Sequence, residues 1–275
     1  MRRSERRLRE IVAALERRRC AVVVRWSLGI GDAERLAREA EPEFDVIAAA
    51  GGDGTVNAVA NGIDGNSRPI AVLPLGSANV LARELGLPRR SEALAALLAQ
   101  APARPVWPGR IGNRLFLTMA GIGFDAEVVA AVDPALKRRI GRLAFLWAIL
   151  LRLVRHRPPE LSVRADGCEY RAAGLIAAKG RFYAGPFLIA PSGNLAEPTL
   201  DLVLFRDGGR IAAMRYLVAL PLGRIPRLKS ATCLKIRSAS ICAAEPVAVH
   251  ADGEIVGERP LEIGVAARPL LLIRP

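Results

Sequence analysis

An aspartate set among glycines, in the sequence GGDG at residues 51–54, has the pattern of a phosphate-binding turn. An apolar run, residues 46–50, comes directly before it, and a helix-compatible segment, residues 56–63, follows it. A buried strand that leads through glycines into a helix can hold phosphate, because the N–H groups of the turn and of the helix start point at the anion. The carboxylate of Asp53 suits such a site only with a cation or a transferable proton. The alternative is a tight turn in which Asp53 caps the helix.

A second stretch of the sequence has the same plan. Residues 70–74 (IAVLP) predict another buried strand, and the polar turn that follows contains Gly76 and Ser77. A helix is predicted from Val80 to Leu85. Two parallel strands would place both turns at the same carboxyl edge of one sheet, where open α/β sheets bind ligands.

The two motifs together, GGDGT at residues 51–55 and LPLGSAN at residues 73–79, resemble those of the diacylglycerol kinase and sphingosine kinase superfamily, especially its small bacterial lipid kinases. NAD kinases and phosphofructokinases share the first motif but lack the second. The resemblance extends from about Ser27 to the end of the chain. It implies ATP and Mg²⁺ as cofactors and a lipid hydroxyl group as the phosphate acceptor.

On this resemblance, nucleotide contacts come from both turns and from the end of an earlier strand. The residues expected to bind nucleotide are Ser27, Gly51, Gly52, Asp53, Gly54, Thr55, Val56, Asn57, Gly76 and Ser77. Asp53 would also help to hold Mg²⁺ or orient the acceptor. Relatives begin with a strand that ends in an Asn-Pro turn, whereas this sequence starts inside the following helix, so the first strand is expected to be missing. A start site placed too far downstream and a shortened, impaired protein would both explain this difference.

A pair of carboxylates near the C-terminus, in Asp252-Gly253-Glu254, resembles the DGE motif of the same superfamily. The resemblance assigns Glu254 or Asp252 as the base that deprotonates the lipid hydroxyl group. The alternative is a type I′ hairpin turn, which an Asp-Gly pair favours. His250, two residues before the motif, is expected to be a solvated turn residue.

Several bacterial relatives hold a second, structural Mg²⁺ near a segment that resembles EPTL, residues 197–200 of this chain. Asn194, Glu197 and the carbonyl group of Thr199 could supply the hard oxygen ligands that this ion prefers. Glu197 and Pro198 stand where relatives usually have Asp and Gly. The predicted metal site therefore departs from the pattern of the family.

The elements that must position these groups fall into two domains. Residues 1–104 predict a nucleotide-binding α/β domain with an open sheet and glycine-rich turns, in which Ala21–Arg25 is an early strand. A proline-rich segment, residues 101–109, marks the boundary. Residues 105–275 contain many short strands, which predict a β-rich, sandwich-like domain that carries the DGE motif.

The net charge of +13 suits an anionic partner such as an acidic membrane surface. Nucleic acid is not expected, because the chain lacks an aromatic and basic binding motif. Residues 143–151 form an apolar run with basic residues on both sides, and such a helix can lie on an acidic bilayer. A buried helix with solvated ends is the alternative. The flanking basic residues are Lys137, Arg138, Arg139, Arg152, Arg155 and Arg157.

No segment has the length of a membrane span or the pattern of a secretory signal. The sequence therefore predicts a cytoplasmic protein that touches the inner face of the membrane only at its periphery. Four cysteines without metal-ligand spacing are expected to be buried free thiols in a reducing compartment.

Taken together, these features predict an ATP- and Mg²⁺-dependent lipid kinase that phosphorylates the hydroxyl group of a diacylglycerol-like or long-chain lipid. The alternative is a non-catalytic homologue that binds nucleotide or lipid and is impaired by the missing first strand.

Overall fold

The computed structural model describes residues 3–133, 143–257 and 262–275. The chain divides into two compact units: unit 1 is Met1–Val106 together with Arg268–Pro275, and unit 2 is Trp107–Ala267. The domains expected from the sequence are residues 1–104 and 105–275, whereas here the first boundary follows Val106 and the last strand of the chain belongs to unit 1. The sequence of a short apolar strand does not indicate which sheet the strand will join, because its place is determined by the strands with which it pairs.

The sheet of unit 1 is built from four strands within the described residues. They are β1 (Ile47–Gly51), β2 (Ile70–Pro74), β3 (Ala103–Val106) and β18 (Leu270–Ile273), in the order β1-β2-β18-β3. β2 runs parallel to β1 and to β18, whereas β3 is antiparallel to β18. Every residue of β2 is buried, as expected for an inner strand of a parallel sheet.

The helices described in unit 1 are α1 (Arg3–Glu16), α2 (Asp32–Arg38), α3 (Asp53–Gly62), α4 (Val80–Glu84) and α5 (Ser91–Gln100). Four of these five helices pack in two pairs, and α4 packs against β2. α1 packs against α5, and Ile11 and Leu94 are fully buried there. α2 approaches α3 closely because Gly62 has no side chain: a Cβ at this position would lie 2.3 Å from the carbonyl oxygen of Glu34. This packing fixes α3, the helix that begins at the GGDG turn.

The strand predicted over Ala21–Arg25 is wrong. Residues 20–28 have no regular secondary structure, and the side chains of Val23 and Val24 are 60% and 44% exposed. β-branched residues favour a strand only where the strand finds neighbours to pair with and pack against. No strand in the described part of the chain pairs with this segment.

Unit 2 consists mainly of antiparallel strands. Within its described residues, two sheets have six strands each, in the orders β13-β12-β9-β6-β15-β16 and β5-β4-β17-β14-β7-β8, and β10 pairs with β11. The strands are β4 (Gly109–Ile111), β5 (Arg114–Phe116), β6 (Met119–Ile122), β7 (Leu161–Ala165), β8 (Cys168–Ala172), β9 (Gly174–Ala178), β10 (Phe182–Tyr183), β11 (Phe187–Leu188), β12 (Leu200–Phe205), β13 (Ala231–Ile236), β14 (Ser238–Ala243), β15 (Val249–Ala251), β16 (Glu254–Gly257) and β17 (Glu262–Val265). The helices are α6 (Phe124–Ala131), α7 (Leu143–Arg155) and α8 (Gly209–Ala219), with a 3₁₀ turn at Ile225–Arg227.

The two large sheets of unit 2 share one hydrophobic core, which confirms the predicted sandwich. Leu202 of β12 and Val163 of β7 belong to this core, although the two strands lie in different sheets. Val203, the next residue of β12, joins a second cluster that includes Ala219 of α8. Because successive side chains of a strand point to opposite faces, β12 is buried against the second sheet on one face and against a helical layer on the other.

The prediction of buried cysteines is wrong for Cys168, Cys233 and Cys242, which are exposed; Cys20 is half-buried. Cys233 and Cys242 lie on the outward faces of their strands, whereas Cys168 is the first residue of β8, at the exposed end of the strand. In β14, for example, Ile241 is buried and the adjacent Cys242 faces outward. The side chain of a cysteine does not tell which of these alternating faces it occupies.

Candidate functional site

The carboxyl ends of β1 and β2 lie side by side, because the strands are parallel and Gly51 pairs with Pro74. The turn after β2 folds back onto β1. The N–H groups of Leu75 and Gly76 donate to the carbonyl oxygen of Gly51 at 2.9 and 3.1 Å. The two glycine turns therefore form one surface at this edge of the sheet.

The backbones of these turns approach each other too closely for side chains. A Cβ at Gly76 would lie 2.5 Å from the Cα atom of Gly52, and a Cβ at Gly51 would lie 2.3 Å from the Oγ1 atom of Thr55. Such distances require glycine. Close backbone packing of this kind lets a turn present its N–H groups to a phosphate.

Asp53 links the two turns. It is the first residue of α3, and Gly52 occupies the cap position before it. The Oδ1 atom of Asp53 accepts a hydrogen bond from the N–H group of Leu81 in α4 at 3.1 Å. Asn79, with a φ of 49°, closes the second turn: its Oδ1 accepts from the N–H group of Gly76 at 3.0 Å, and its Nδ2 donates to the Gly76 carbonyl oxygen at 2.8 Å. Asp53 therefore satisfies an N–H group in the first turn of α4, although it belongs to α3.

The other residues expected to bind nucleotide lie in the same two turns, with the exception of Ser27. Gly54, Thr55, Val56 and Asn57 form the start of α3, and Ser77 is exposed in the second turn. Ser27 is exposed within the segment that has no regular secondary structure. This edge of the sheet suits the phosphates of a nucleotide and a divalent cation. It combines the start of a ten-residue helix, a glycine cradle that a Cβ would fill, and one carboxylate.

The Asp-Gly-Glu hairpin of unit 2 contains a type I′ turn, in which Asp252 and Gly253 have φ values of 48° and 84°. The carboxylate of Asp252 accepts hydrogen bonds from the N–H groups of Leu117, Thr118 and Met119 at 2.6, 2.9 and 2.9 Å, and from the Thr118 hydroxyl group at 2.5 Å. These donors fill roughly the four acceptor positions of a carboxylate. Asp252 is therefore suited to anchor the hairpin, whereas Glu254 is exposed on β16 and better suited to take up a proton.

A buried polar cluster beside the hairpin differs from what the sequence predicts. His250 is 2% exposed rather than solvated, because β15 lies between β6 and β16. Its Nε2 atom lies 2.5 Å from the Oδ2 atom of Asp125, and the Tyr183 hydroxyl group donates to the Oδ1 atom of Asp125. Gly121 makes room for this pair, since a Cβ there would lie 2.4 Å from Nε2 of His250.

This cluster holds Asp125 in its ionised form. Burial raises the pKa of the Asp125 carboxyl group, but the charge of His250 and the hydrogen bonds from His250 and Tyr183 outweigh burial and hold the pKa below its ordinary value. Burial and the nearby Asp125 raise the pKa of Tyr183 well above its ordinary value. In the sequence, only the GIGFDA segment at residues 121–126 draws attention to Asp125. No local pattern pairs it with His250, which lies 125 residues further along the chain.

The three predicted ligands of a structural metal surround an amine. The Nζ atom of Lys179 donates to the backbone carbonyl oxygens of Asn194, Glu197 and Thr199 at 2.8, 2.6 and 2.9 Å. The carboxylate of Glu197 accepts instead from Nδ2 of Asn194 and from Nζ of Lys235, both at 2.9 Å. Burial lowers the pKa of Lys179 to about 8, so its amine carries a proton at neutral pH. This arrangement does not fit a divalent ion, because the carbonyl oxygens already converge on a cation.

Two neighbouring helices of unit 2, α7 and α8, present apolar side chains to solvent. The exposed residues on α7 are Leu143, Trp147, Leu150, Leu151 and Val154, and those on or just after α8 are Ile211, Met214, Val218 and Leu222. Spacings of three, four and seven residues place each set on one helix face. The basic residues predicted at 137–139 lie outside the described residues. No helix in the described ranges is long and apolar enough to cross a bilayer.

Comparisons with known proteins agree with this architecture. Residues 1–111 match the family model described as the diacylglycerol kinase catalytic domain, and residues 118–274 match the YegS C-terminal NAD kinase beta sandwich-like domain. The chain is 30% identical over 251 residues to the diacylglycerol kinase of Bacillus subtilis (strain 168), with 89% of this chain and 83% of that protein covered. It is 31% identical over 276 residues to a "Probable lipid kinase YegS-like" of Pseudomonas aeruginosa (strain UCBPP-PA14), with 94% and 85% covered.

A solved structure shows the same fold. The crystal structure of a diacylglycerol kinase from Bacillus anthracis (strain Sterne) has a TM-score of 0.78 at 22% sequence identity, with 98% of this chain and 92% of that chain covered. The family model and the curated relatives define a lipid kinase, a phosphotransferase that acts on an alcohol group. The chain belongs to the diacylglycerol kinase family.

Proposed function

We propose that this lipid kinase uses Mg²⁺ and ATP to phosphorylate the free hydroxyl group of a diacylglycerol-like or long-chain lipid. The observation that carries the proposal is the pair of glycine turns in unit 1, where Gly52 and Gly76 pack backbone against backbone and Asp53 joins the turns. The B. subtilis relative is named a diacylglycerol kinase, which supports a diacylglycerol-like acceptor.

In unit 1, the N–H groups at the start of α3 would bind the phosphates of ATP, because a helix N-terminus favours negative charge. Asp53 would hold Mg²⁺, and the N–H group of Leu81 fixes the direction of its carboxylate. Mg²⁺ when bound would neutralise the charge that develops on the transferred phosphoryl group.

In unit 2, Glu254 would accept the proton of the lipid hydroxyl group. Glu254 is exposed and directly follows the turn. Asp252 anchors this turn because its carboxylate accepts hydrogen bonds from the N–H groups of Leu117, just before β6, and of Met119, the first residue of β6. Asp252 is thus a positioning residue. The ionised Asp125 would hold His250, and with it β15, the first strand of the hairpin, in place.

The apolar stripes of α7 and α8 would bring unit 2 to an acidic membrane surface. Apolar side chains can enter the headgroup region, while arginines attract anionic lipids. Arg210, Arg215 and Arg224 are exposed on or near α8 and supply this attraction. A lipid acceptor would be reached from the same surface.

Transfer of labelled γ-phosphate from Mg²⁺-ATP to a total lipid extract tests the proposed reaction. We expect one labelled lipid class, whose headgroup identifies the acceptor, and no labelled product when Mg²⁺ is chelated. If the folded protein binds ATP but labels no lipid, the non-catalytic nucleotide- or lipid-binding homologue becomes the better account.

A further inference from the structure

Lys179 carries a buried ammonium group to the centre of a loop in unit 2. The residue follows β9 directly, and its own N–H group donates to the carbonyl oxygen of Thr118 at 2.8 Å, which fixes its backbone. Its side chain is 1% exposed. The loop it enters, residues 194–199, leads into β12, the strand that pairs with β9.

The hydrogen bonds of this ammonium group are complete. An ammonium group has three N–H donors and no acceptor. Here the Nζ atom has three carbonyl oxygens within 2.6 to 2.9 Å, from Asn194, Glu197 and Thr199. Since those carbonyl groups come from different positions of one loop, a single cation holds the loop in its closed shape.

The surrounding charges also suit a cation. Glu197 and Asp201 both stabilise the positive charge of Lys179, while Lys235 opposes it. Asp201 is 7% exposed and accepts a hydrogen bond from the Ser192 hydroxyl group at 2.6 Å. Converging loop carbonyls with carboxylates nearby are the environment in which proteins bind hard divalent cations. A second cation at the same point would meet both the atoms and the charge of the ammonium group.

We propose that Lys179 is a built-in cation that organises the loop of residues 194–199 in the place where a divalent metal ion would otherwise bind. Unit 2 is then stable without a structural metal ion. This inference concerns the folding of the loop and does not depend on the kinase reaction, so the two can fail separately.

Thermal unfolding of the wild-type protein without nucleotide gives the first test. We expect the same melting temperature, to within about 1 °C, in EDTA, in Mg²⁺ and in Ca²⁺, because an ion that does not bind the native state does not stabilise it. The same scan of Asp53→Asn, which lacks the Mg²⁺ ligand proposed for unit 1, separates the two sites. A rise of several degrees with Mg²⁺ in both proteins that EDTA reverses would overturn the proposal. This measurement decides the question even where a variant of Lys179 fails to fold.

Variants of Lys179 give the second test. Lys179→Met keeps the length of the side chain but leaves three carbonyl groups without their donor, so we expect a melting temperature lower by about 5 °C or more that neither ion restores. Lys179→Ala also opens the space of the amine, so we expect Ca²⁺ or Mg²⁺ to restore part of its loss. Lys235→Met changes an exposed lysine beside the same Glu197. Its melting temperature should be near that of wild type and should not change with either ion. Wild-type melting of Lys179→Met, or no response of Lys179→Ala to either ion, would contradict the proposal.

Discussion

The Oδ1 atom of Asp53 accepts a hydrogen bond from the backbone N–H group of Leu81 at 3.1 Å, which connects the turn after β1 to the helix after β2. The carboxylate of Asp53 therefore has a structural role as an acceptor, in addition to the electrostatic role proposed for it. An amide in its place would keep an acceptor oxygen and lose the charge. The two roles can thus be separated by one substitution.

Asp252 should matter for stability more than for proton transfer. Asp252→Asn replaces a charged acceptor by an amide whose NH₂ group must face either the N–H group of Leu117 or the N–H groups of Thr118 and Met119. We expect a loss of about 2–4 kcal/mol in the free energy of unfolding, measured with urea. Asp166→Asn is the matched control, because Asp166 holds the same position in another Asp-Gly turn, with a φ of 48°, and is exposed. Equal effects of the two substitutions would argue against the anchoring role of Asp252.

Glu254 should show the opposite behaviour. Glu254→Gln removes the proposed base from an exposed position, so we expect kcat for lipid phosphorylation to fall by about 10²–10⁴-fold while the melting temperature stays near wild type. Glu262→Gln changes an exposed strand glutamate of the same unit and should leave kcat unchanged. Full activity of Glu254→Gln would remove Glu254 from the mechanism.

Asp125 should make the protein sensitive to acid. Burial raises the pKa of this carboxyl group, but the charge of His250 and the hydrogen bonds from His250 and Tyr183 outweigh burial and leave the pKa lowered. A lowered pKa in the folded state adds stability above the unfolded-state pKa of about 3.9, and this stability is lost as the pH falls through the folded-state pKa. The advantage of wild type over Asp125→Asn, measured by urea unfolding, should therefore shrink as the pH falls below about 4. A constant difference between the two proteins from pH 7 to pH 3 would be inconsistent with this interpretation.

Trp147 should contribute to membrane binding without contributing to stability. It is 61% exposed on the apolar stripe of α7, so Trp147→Glu should fold normally and bind vesicles that contain acidic lipid about 10-fold more weakly. Co-sedimentation with such vesicles measures this change. Val23→Glu adds the same charge at another exposed apolar residue, in unit 1, and controls for the change in net charge. Equal weakening by both substitutions would point to net charge rather than to α7.

Features that depend on nearby residues could be predicted from the sequence. The glycine turns at residues 51–54 and 75–79 follow strands as expected, although only β2 is buried throughout and β1 exposes Ala48 and Ala50. The Asp-Gly pair at residues 252–253 adopts the turn type that its composition favours. Glycine permits the positive φ values that such turns require and aspartate tolerates them, so the local pattern is enough. The β-rich character of unit 2 was predictable for the same reason, since strand alternation is a local property.

Features that depend on distant partners could not be predicted. His250 and Lys179 are buried because Asp125 and the loop of residues 194–199 supply their partners, and neither relationship has a pattern in the sequence. The strand expected over Ala21–Arg25 fails for a related reason: its composition favours a strand, but no described strand pairs with it. Burial of a polar group and pairing of a strand are both decided by tertiary contacts.

The most direct test of the proposed function compares Asp53→Asn with Asp45→Asn in the transfer of labelled γ-phosphate to lipid. Asp53→Asn keeps an acceptor for Leu81, so we expect it to melt near wild type yet to lose transfer by at least about 100-fold, because the charge at the glycine turns is gone. Asp45→Asn, an exposed aspartate just before β1, should retain wild-type transfer. If folded Asp53→Asn transfers phosphate as fast as wild type, Asp53 has no part in catalysis and the proposed use of this edge of the sheet is wrong.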